Sequence, residues 1–307
     1  METTNTLLSF RKTLIGSFLS QTYVFLRNRL LPETILVKQK FKRRLGYEPN
    51  LRSPKTFNEK ITWLKLNDRT PLHTLCADKL TVRSYVEKKI GSQYLIPLLF
   101  KSTNPDEIIP ENFSDFPLIL KANHDSGGTI LIKDKKEADW PYIQNYFRKK
   151  LKTNYFYTGK SEWQYKNIKP YIIAEKLLLD DNGNIPFDYK LHCFNGKLKL
   201  IQVDIDRHIK HKRNLYDTDW NLLDCKYIYP MGKEVKKPAT FEKMKELAEI
   251  LSNDFIFARI DFYTLKDEVY FGEITFHPDS GAGRFEPIVW DKNFGELLKL
   301  PIELTER

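Results

Sequence analysis

Three stretches of the sequence alternate apolar and polar residues on both sides of a short polar turn, and this pattern constrains the fold most. They are PLILKANHDSGGTILIKD (117–134), DYKLHCFNGKLKLIQVDID (188–206) and FIFARIDFYTLKDEVYFGEITF (255–276). Side chains of a strand alternate between its two faces, and two such strands joined by a short turn form an antiparallel hairpin. The sequence therefore predicts an α+β protein with largely antiparallel sheets.

Helical patterns occupy much of the remaining chain. We expect a helical segment over residues 1–46, a short helix opened by a Thr56–Glu59 capping box, and a helix running from an N-cap at Asp78 to Ile90. Two more helices are expected near 136–151 and 240–252. A turn-rich segment near residue 105 predicts three parts: a helical N-terminal region (1–105), a small lobe (106–180) and a larger lobe (181–307).

Positive charge is concentrated at the N-terminal end. Residues 1–60 carry 12 Lys and Arg against 4 Asp and Glu, which accounts for most of the net charge of +10. An apolar stripe within residues 7–30 is broken by polar residues, so this stretch is too polar to span a bilayer and does not look like a secretory signal. It predicts a helix that packs on its own protein or lies on an anionic membrane surface. Nucleic-acid binding is disfavoured because the basic excess is confined to one end.

The last hairpin gathers charged residues on one face. If its even-numbered residues share the core face, the other face carries Arg259, Asp261, Glu273 and Thr275. Two carboxylates opposed across a hairpin repel each other unless a cation lies between them. Oxygen ligands of this kind suit Mg²⁺. The alternative is a solvated strand face with incidental charges.

The other two hairpins each place a lysine on a rigid sheet. Asn195–Gly196 is the strongest turn signal in the chain, and the register it sets places Lys190 on the face opposite Leu198 and Leu200, near Lys199. In the first hairpin Lys121 ends a strand just before a loop with Gly127 and Gly128. Bare backbone N–H groups in such a loop can approach a polyphosphate, to which the lysine adds a point charge.

Several motifs in chain order resemble the ATP-grasp superfamily. They are FNEKITWLKL, ADKLTVRSYV, YLIPLL, LKANHDSGG and GEITFHPDSGAGRFEP, which are most similar to the branch of the teichuronopeptide biosynthesis protein, over roughly residues 40–300. The resemblance implies an ATP-grasp fold, in which two α+β lobes clamp a nucleotide, and it implies ATP and Mg²⁺ as cofactors.

The resemblance also assigns roles to individual residues. Lys121 and Lys190 would grip the ATP phosphates, Gly127 and Gly128 would form a lid over them, and Arg259 would stabilise charge at the transferred group. Glu175 would be the acid near adenine, with the backbone of Lys176 and Leu177 bonding the base. Asp261, Glu273 and Thr275 would bind metal, with Thr275 in place of the asparagine common in the superfamily.

Substrate binding is predicted from the arginines. Three arginines are candidates for binding a substrate carboxylate: Arg207 and Arg213 in RHIKHKRN, and Arg284 in GAGR. Arg284 follows closely on the carboxylates predicted to bind metal, so it can also take part in catalysis. The alternative for each is a solvated basic residue.

The implied activity is that of an ATP-dependent carboxylate–amine ligase. The resemblance points to a sugar acid of a bacterial surface polysaccharide (capsule or O-antigen) as acceptor and to an amino acid or other amine as its partner. We expect a cytoplasmic enzyme with peripheral contact to the inner membrane and no nucleic-acid partner. The rival hypotheses are a glycosyltransferase, for which DID (Asp204, Asp206) could hold a metal against a nucleotide sugar, and a non-catalytic basic adaptor.

Overall fold

The computed structural model describes residues 27–113, 116–158, 161–205 and 210–302. The predicted apolar stripe (residues 7–30) lies largely outside these ranges. Asp206 and Arg207 lie wholly outside them. The helices are α1 (Glu33–Leu45), α2 (Phe57–Asn67), α3 (Pro71–Ala77), α4 (Val82–Ile90), α5 (Trp140–Leu151), α6 (Phe241–Ser252) and α7 (Val289–Leu297). The strands are β1 (Leu98–Ser102), β2 (Leu118–Ala122), β3 (Thr129–Ile132), β4 (Ile172–Lys176), β5 (Asp188–Phe194), β6 (Lys197–Ile205), β7 (Lys212–Tyr216), β8 (Lys226–Tyr227), β9 (Phe257–Leu265), β10 (Glu268–Thr275) and β11 (Phe285–Glu286).

The first sheet has four antiparallel strands in the order β1–β4–β2–β3. Its β2–β3 hairpin is the one predicted around the glycine loop. One face is covered by α5, whose Ile143 and Phe147 pack against Leu118, Leu120 and Ala174. Since β1 lies ahead of residue 105, this sheet draws on the chain segment before that predicted boundary.

The second sheet has five antiparallel strands in the order β10–β9–β5–β6–β7. One face is apolar along its length and packs against α4 and α6, through residues such as Val86 and Met244. The opposite face is apolar only at one end, where Phe194 and Phe257 meet Phe57 of α2 and Phe294 of α7. The other end of that face is polar and carries the candidate site.

The β5–β6 turn has the predicted type but not the predicted register. Asn195 and Gly196 both have positive φ (51° and 77°), as a two-residue hairpin turn of this kind requires. A β-bulge between His192 and Cys193 then shifts the pairing, so that Lys190 lies opposite Gln202. The expectation that Lys190 lies near Lys199 and away from Leu200 is therefore wrong.

The helix signals are confirmed in part. Thr56 and Glu59 form the predicted capping box, and Gly46 ends α1 in the left-handed conformation. Helix α4 ends before Gly91 as predicted but begins at Val82, with Thr81 rather than Asp78 as its N-cap residue. The Asp78 carboxylate instead accepts hydrogen bonds from the Leu80 backbone and the Asn123 side chain. Within the described ranges no helix is both long and apolar enough to cross a bilayer.

Candidate functional site

A row of charged side chains crosses the polar end of the five-stranded sheet. Glu273 of β10 lies opposite Asp261 of β9, and Asp261 lies opposite Lys190 of β5. The Lys190 ammonium is 2.8 Å from Asp261 Oδ2, and it also donates to Asp188 two residues earlier on its own strand. The ammonium thus separates two carboxylates that would otherwise repel each other.

Arg259 occupies the neighbouring row and binds three oxygen-bearing side chains. Its guanidinium donates to both oxygens of Asp261 at 2.7 Å, to Glu273 Oε1 at 3.1 Å and to Thr275 Oγ1 at 3.0 Å. Burial alone would lower the pKa of Arg259, but the charge and hydrogen bonds of Asp261, together with the charges of Glu273 and Asp188, outweigh it and raise that pKa. The prediction that Arg259, Asp261, Glu273 and Thr275 share one face is confirmed.

Asp204 extends the cluster toward β7, which the sequence did not indicate. The bulge turns Asp204 onto the Lys190 face, 4.0 Å from Lys190 Nζ. Arg213, opposite Asp204 on β7, donates to its two carboxylate oxygens at 2.6 and 3.1 Å. Burial raises the pKa of Asp204, but the hydrogen bonds and charge of Arg213 bring that pKa well below its ordinary value.

The first sheet contributes Lys121 and Glu175. Lys121 Nζ is 2.6 Å from Glu175 Oε2, and the other Glu175 oxygen accepts a 3.1 Å hydrogen bond from Arg83 of α4. All three side chains are less than a fifth exposed. Lys121 therefore has a fixed partner near the end of its strand, and neither this pairing nor the contribution of Arg83 was predicted from the sequence.

The glycine loop after Lys121 is held by two further lysines. Asp125 accepts a 2.7 Å hydrogen bond from Lys150 of α5, and its backbone carbonyl accepts one from Lys79. Gly127 and Gly128 both have positive φ (86° and 77°). A Cβ at Gly128 would come within 2.6 Å of Lys150 Nζ and the Tyr146 hydroxyl, whereas nothing lies within 4 Å of one at Gly127.

Lys79 connects the two charged regions. It lies in the segment between α3 and α4, and it lines a small cavity with Tyr165 and Glu273. Burial lowers the pKa of Lys79, against the opposing effect of the Asp125 and Glu273 carboxylates. In the sequence only the motif ADKLTVRSYV marked this segment, and nothing identified Lys79 as a residue of the site.

Helix α2 holds the chain just beyond β10. Asn58, Thr62 and Lys65 lie on one face of α2 because they are four and three residues apart. Asn58 exchanges hydrogen bonds with the backbone of Gly283, Thr62 donates to the Gly281 carbonyl at 3.1 Å, and Lys65 donates to Ser280 O and Oγ at 2.9 and 3.1 Å.

The segment that α2 holds (residues 279–283) has a costly backbone. Asp279, Ser280 and Gly281 have φ of 49°, 61° and 69°, and the left-handed region is unfavourable for the first two. The hydrogen bonds from α2 explain how this conformation is maintained next to the charged row. The FNEKITWLKL motif therefore encodes a support for the site.

Other predicted site residues lie apart from the charged row. Arg284 is 73% exposed and lies 3.6 Å from Glu286, with no described contact to the carboxylates of the row. The backbone N–H groups of Lys176 and Leu177 donate to the carbonyls of Pro97 and Pro117. Arg213 is buried and bound to Asp204, so the alternative of a solvated basic residue does not hold for it, and its predicted contact with a substrate carboxylate stays a prediction.

The donor set is suited to Mg²⁺ only with help from a ligand. No group of three or more His, Cys, Asp and Glu in the described ranges could hold a metal by itself. Mg²⁺, however, is commonly held by one or two carboxylates together with phosphate oxygens. Asp261 and the partly exposed Glu273 are opposed carboxylates with the Thr275 hydroxyl beside them, and here both Asp261 oxygens accept hydrogen bonds from Arg259.

Lys79 thus lies between Asp125 of the glycine loop and Glu273 of the charged row. The family model described as TupA-like ATPgrasp matches residues 59–299, and the chain belongs to this family. A search of curated proteins found no match.

Several solved structures are similar to the chain at low identity. The D-alanine–D-alanine ligase of Helicobacter pylori is 18% identical, with 80% of this chain and 70% of that chain covered and a TM-score of 0.40. The corresponding ligase of Bacillus anthracis is 17% identical, with 66% and 57% covered and a TM-score of 0.38. An L-amino acid ligase of Bacillus licheniformis is 14% identical, with 73% and 49% covered and a TM-score of 0.40. The chain spans little more than half the length of the Bacillus anthracis ligase, and likenesses this weak carry no argument about activity.

Proposed function

We propose that the protein is an ATP-dependent ligase that joins a carboxylate to an amine through an acyl phosphate. One observation carries this proposal. Lys79, anchored to the glycine loop of the first sheet, lies beside Glu273, the outer member of the Glu273–Asp261–Lys190 row on the second sheet. Cations from both lobes and an acid pair at their junction are what binding of a polyphosphate with Mg²⁺ requires.

The residues present divide the work as follows. Lys121, Lys79 and Lys190 bind phosphate oxygens and neutralise charge as the γ-phosphoryl moves to the substrate carboxylate. The Gly127–Gly128 loop closes over the phosphates and excludes water, and Arg259 stabilises charge at the reacting carbonyl. Glu175 fixes the direction of Lys121 beside the adenine site. Asp261, Glu273 and Thr275 would hold Mg²⁺, which when bound supplies charge neutralisation at the phosphates.

The substrates are proposed on the family resemblance. A sugar acid of a surface polysaccharide precursor would provide the carboxylate, and an amino acid would provide the amine. Because ATP is consumed, we place the reaction on the cytoplasmic side, with the basic N-terminal segment in contact with the membrane face.

A thermal shift experiment tests the nucleotide preference. A ligase of this kind should be stabilised by Mg²⁺ with AMPPNP and not by UDP, whereas a glycosyltransferase should respond to UDP or another nucleotide diphosphate. Lys121→Ala and Glu273→Ala should lose the AMPPNP response, and Lys133→Ala, which alters an exposed lysine after β3, should keep it. Stabilisation by UDP alone would favour the glycosyltransferase.

A second experiment tests the substrate class. Mass spectrometry of surface polysaccharide from a strain lacking the gene should show loss of an amide-linked amino acid from an otherwise intact repeat. Loss of a whole sugar would contradict the ligase proposal.

A further inference from the structure

A surface at the start of the described chain combines exposed apolar and basic side chains. It consists of Leu30, Leu31, Ile35, Lys38 and Lys42, and we call it the α1 face. Leu30 is 77% exposed, the largest value among the big apolar side chains of the described ranges, and Leu31 and Ile35 are 37% and 42% exposed. A single exposed apolar residue is ordinary on a folded protein, whereas three grouped at one helix start indicate an interaction surface.

Helix geometry puts the residues of the α1 face on the outward side. The inward side of α1 carries its buried residues, which are Leu36, Val37 and Phe41. Ile35, Lys38 and Lys42 recur at spacings of three and four residues and are not buried, so they form a stripe on the other side of the helix. Leu30 and Leu31 precede this stripe. The α1 face therefore has apolar side chains at one end and cations along the rest.

The charge around the α1 face is positive. Residues 27–48 carry seven Lys and Arg against two acids, Glu33 and Glu48. Glu33 is paired with Arg69 of the segment after α2, so its charge is already neutralised. Glu48 lies 3.0 Å from the Lys42 ammonium, but both side chains are more than half exposed, and such a surface pair is weak. The other exposed cations of α1 are Lys38, Arg43 and Arg44.

We propose that the α1 face binds an anionic phospholipid surface. Leu30, Leu31 and Ile35 enter the boundary between headgroups and acyl chains, and the basic residues that follow contact lipid phosphates. Cations alone would suit any polyanion, including a nucleic acid, but aliphatic side chains gain free energy only where they leave water. This inference rests on the proposed function, which places a basic N-terminal segment at the membrane, and it assigns that contact to particular side chains and to the charge of the lipid.

The α1 face has a defined position relative to the proposed nucleotide site. Arg69, the partner of Glu33 at the start of α1, also donates to the Lys65 carbonyl of α2 from Nε and Nη2, at 3.2 and 3.1 Å. The Lys65 ammonium in turn holds Ser280 next to the charged row. A protein docked through the α1 face would therefore present its site to the membrane in a defined orientation, which suits a sugar-acid precursor held at the membrane.

Flotation with lipid vesicles tests the inference on the full-length protein. Wild type should bind vesicles of equimolar phosphatidylcholine and phosphatidylglycerol and should not bind phosphatidylcholine alone, because the basic residues need a negative surface. Raising NaCl from about 0.05 M to about 0.5 M should weaken the binding, since salt screens the attraction. Binding to neither kind of vesicle, or equal binding to both, would overturn the inference.

Two double variants separate the apolar and basic contributions. Leu30→Ser/Leu31→Ser should weaken binding to the mixed vesicles by about tenfold or more, because two aliphatic side chains no longer enter the lipid. Lys38→Glu/Lys42→Glu should also weaken it by about tenfold or more, and the binding that remains should depend less on salt.

Matched controls make the same chemical changes elsewhere. Ile288→Ser removes an aliphatic side chain that is 69% exposed at the start of α7, and Lys135→Glu/Lys136→Glu reverses two exposed lysines after β3. Both controls should bind the mixed vesicles as wild type does. All four variants should unfold close to the wild-type temperature, because the altered side chains are exposed.

The outcomes separate this inference from the proposed function. If AMPPNP stabilises the protein but both α1-face variants bind vesicles as wild type does, the inference is wrong and the nucleotide site stands. If vesicles bind as expected but AMPPNP has no effect, the ligase proposal fails and the lipid-binding face stands. Binding of poly(A) RNA instead of vesicles, lost in Lys38→Glu/Lys42→Glu, would assign the face to nucleic acid and contradict the inference.

Discussion

Lys190 and Asp261 lie directly opposite each other on neighbouring strands of the five-stranded sheet, with the ammonium 2.8 Å from the carboxylate. Both are almost fully buried. The ammonium also bonds Asp188, so one buried cation serves two buried acids. A residue in this position is part of the structure as well as of the proposed nucleotide site, and substitutions should reveal both roles.

Lys190→Ala should destabilise the protein and remove nucleotide binding together. Asp261 keeps Arg259 as a second cation, but Asp188 loses the buried ammonium of Lys190, and breaking such a buried pair is expected to cost about 3–5 kcal/mol in the free energy of unfolding. Urea denaturation measures this cost. Lys199→Ala, an exposed lysine on the same hairpin, should change the unfolding free energy by less than about 0.5 kcal/mol. Equal effects of the two substitutions would contradict the buried pairing.

Lys121→Ala should weaken nucleotide binding with a smaller loss of stability than Lys190→Ala. Glu175 keeps Arg83 as a second cation when Lys121 is removed, so the cost to stability should be well below that of Lys190→Ala. Calorimetric titration with Mg²⁺ and AMPPNP should show binding at least about tenfold weaker, because a phosphate contact carrying full charge is lost. Unchanged affinity would remove Lys121 from the site.

The two glycines of the loop should tolerate alanine differently. Both have positive φ, so each alanine strains the backbone. At Gly128 the new methyl group would also collide with the end of the Lys150 side chain, which holds Asp125. Gly128→Ala should therefore weaken AMPPNP binding more than Gly127→Ala, as calorimetry would show. The reverse order would mean that the Lys150–Asp125 contact does not shape the loop.

Lys65 gives the stability a defined pH dependence. Burial lowers the pKa of Lys65 to about 8 in the folded protein, from an ordinary value near 10.5. Between these values the unfolded chain binds more protons than the folded one, so the contribution of Lys65 to stability rises as pH increases from 8 to 10.5.

Lys65→Met isolates this effect from other titrating groups. Urea denaturation of both proteins at about pH 7 and at about pH 9.5 should show wild type gaining stability relative to Lys65→Met at the higher pH. If wild type instead lost stability relative to Lys65→Met at the higher pH, burial would not lower the pKa of Lys65.

The sequence by itself determined the local elements and the composition of the faces. Alternation in β9 and at the end of β10 placed Arg259, Asp261, Glu273 and Thr275 on one side, because a strand has a period of two. A β-bulge between Phe271 and Glu273 interrupts the period in β10, so that Val269 and Phe271, rather than Tyr270, lie in the core. The Asn195–Gly196 turn, the capping box and the helix-ending glycines are equally local, and each was found where the sequence put it.

Only the tertiary structure decided which of these faces meet and how charges are shared. The bulge at His192 and Cys193 moved Asp204 onto the Lys190 face, and no residue in the turn signals such a shift. Lys79, Arg83 and the α2 residues that hold Gly281 and Gly283 join the site from distant parts of the chain. Their role depends on packing between elements, and the energy of a buried charge is set by neighbours that sequence spacing does not reveal.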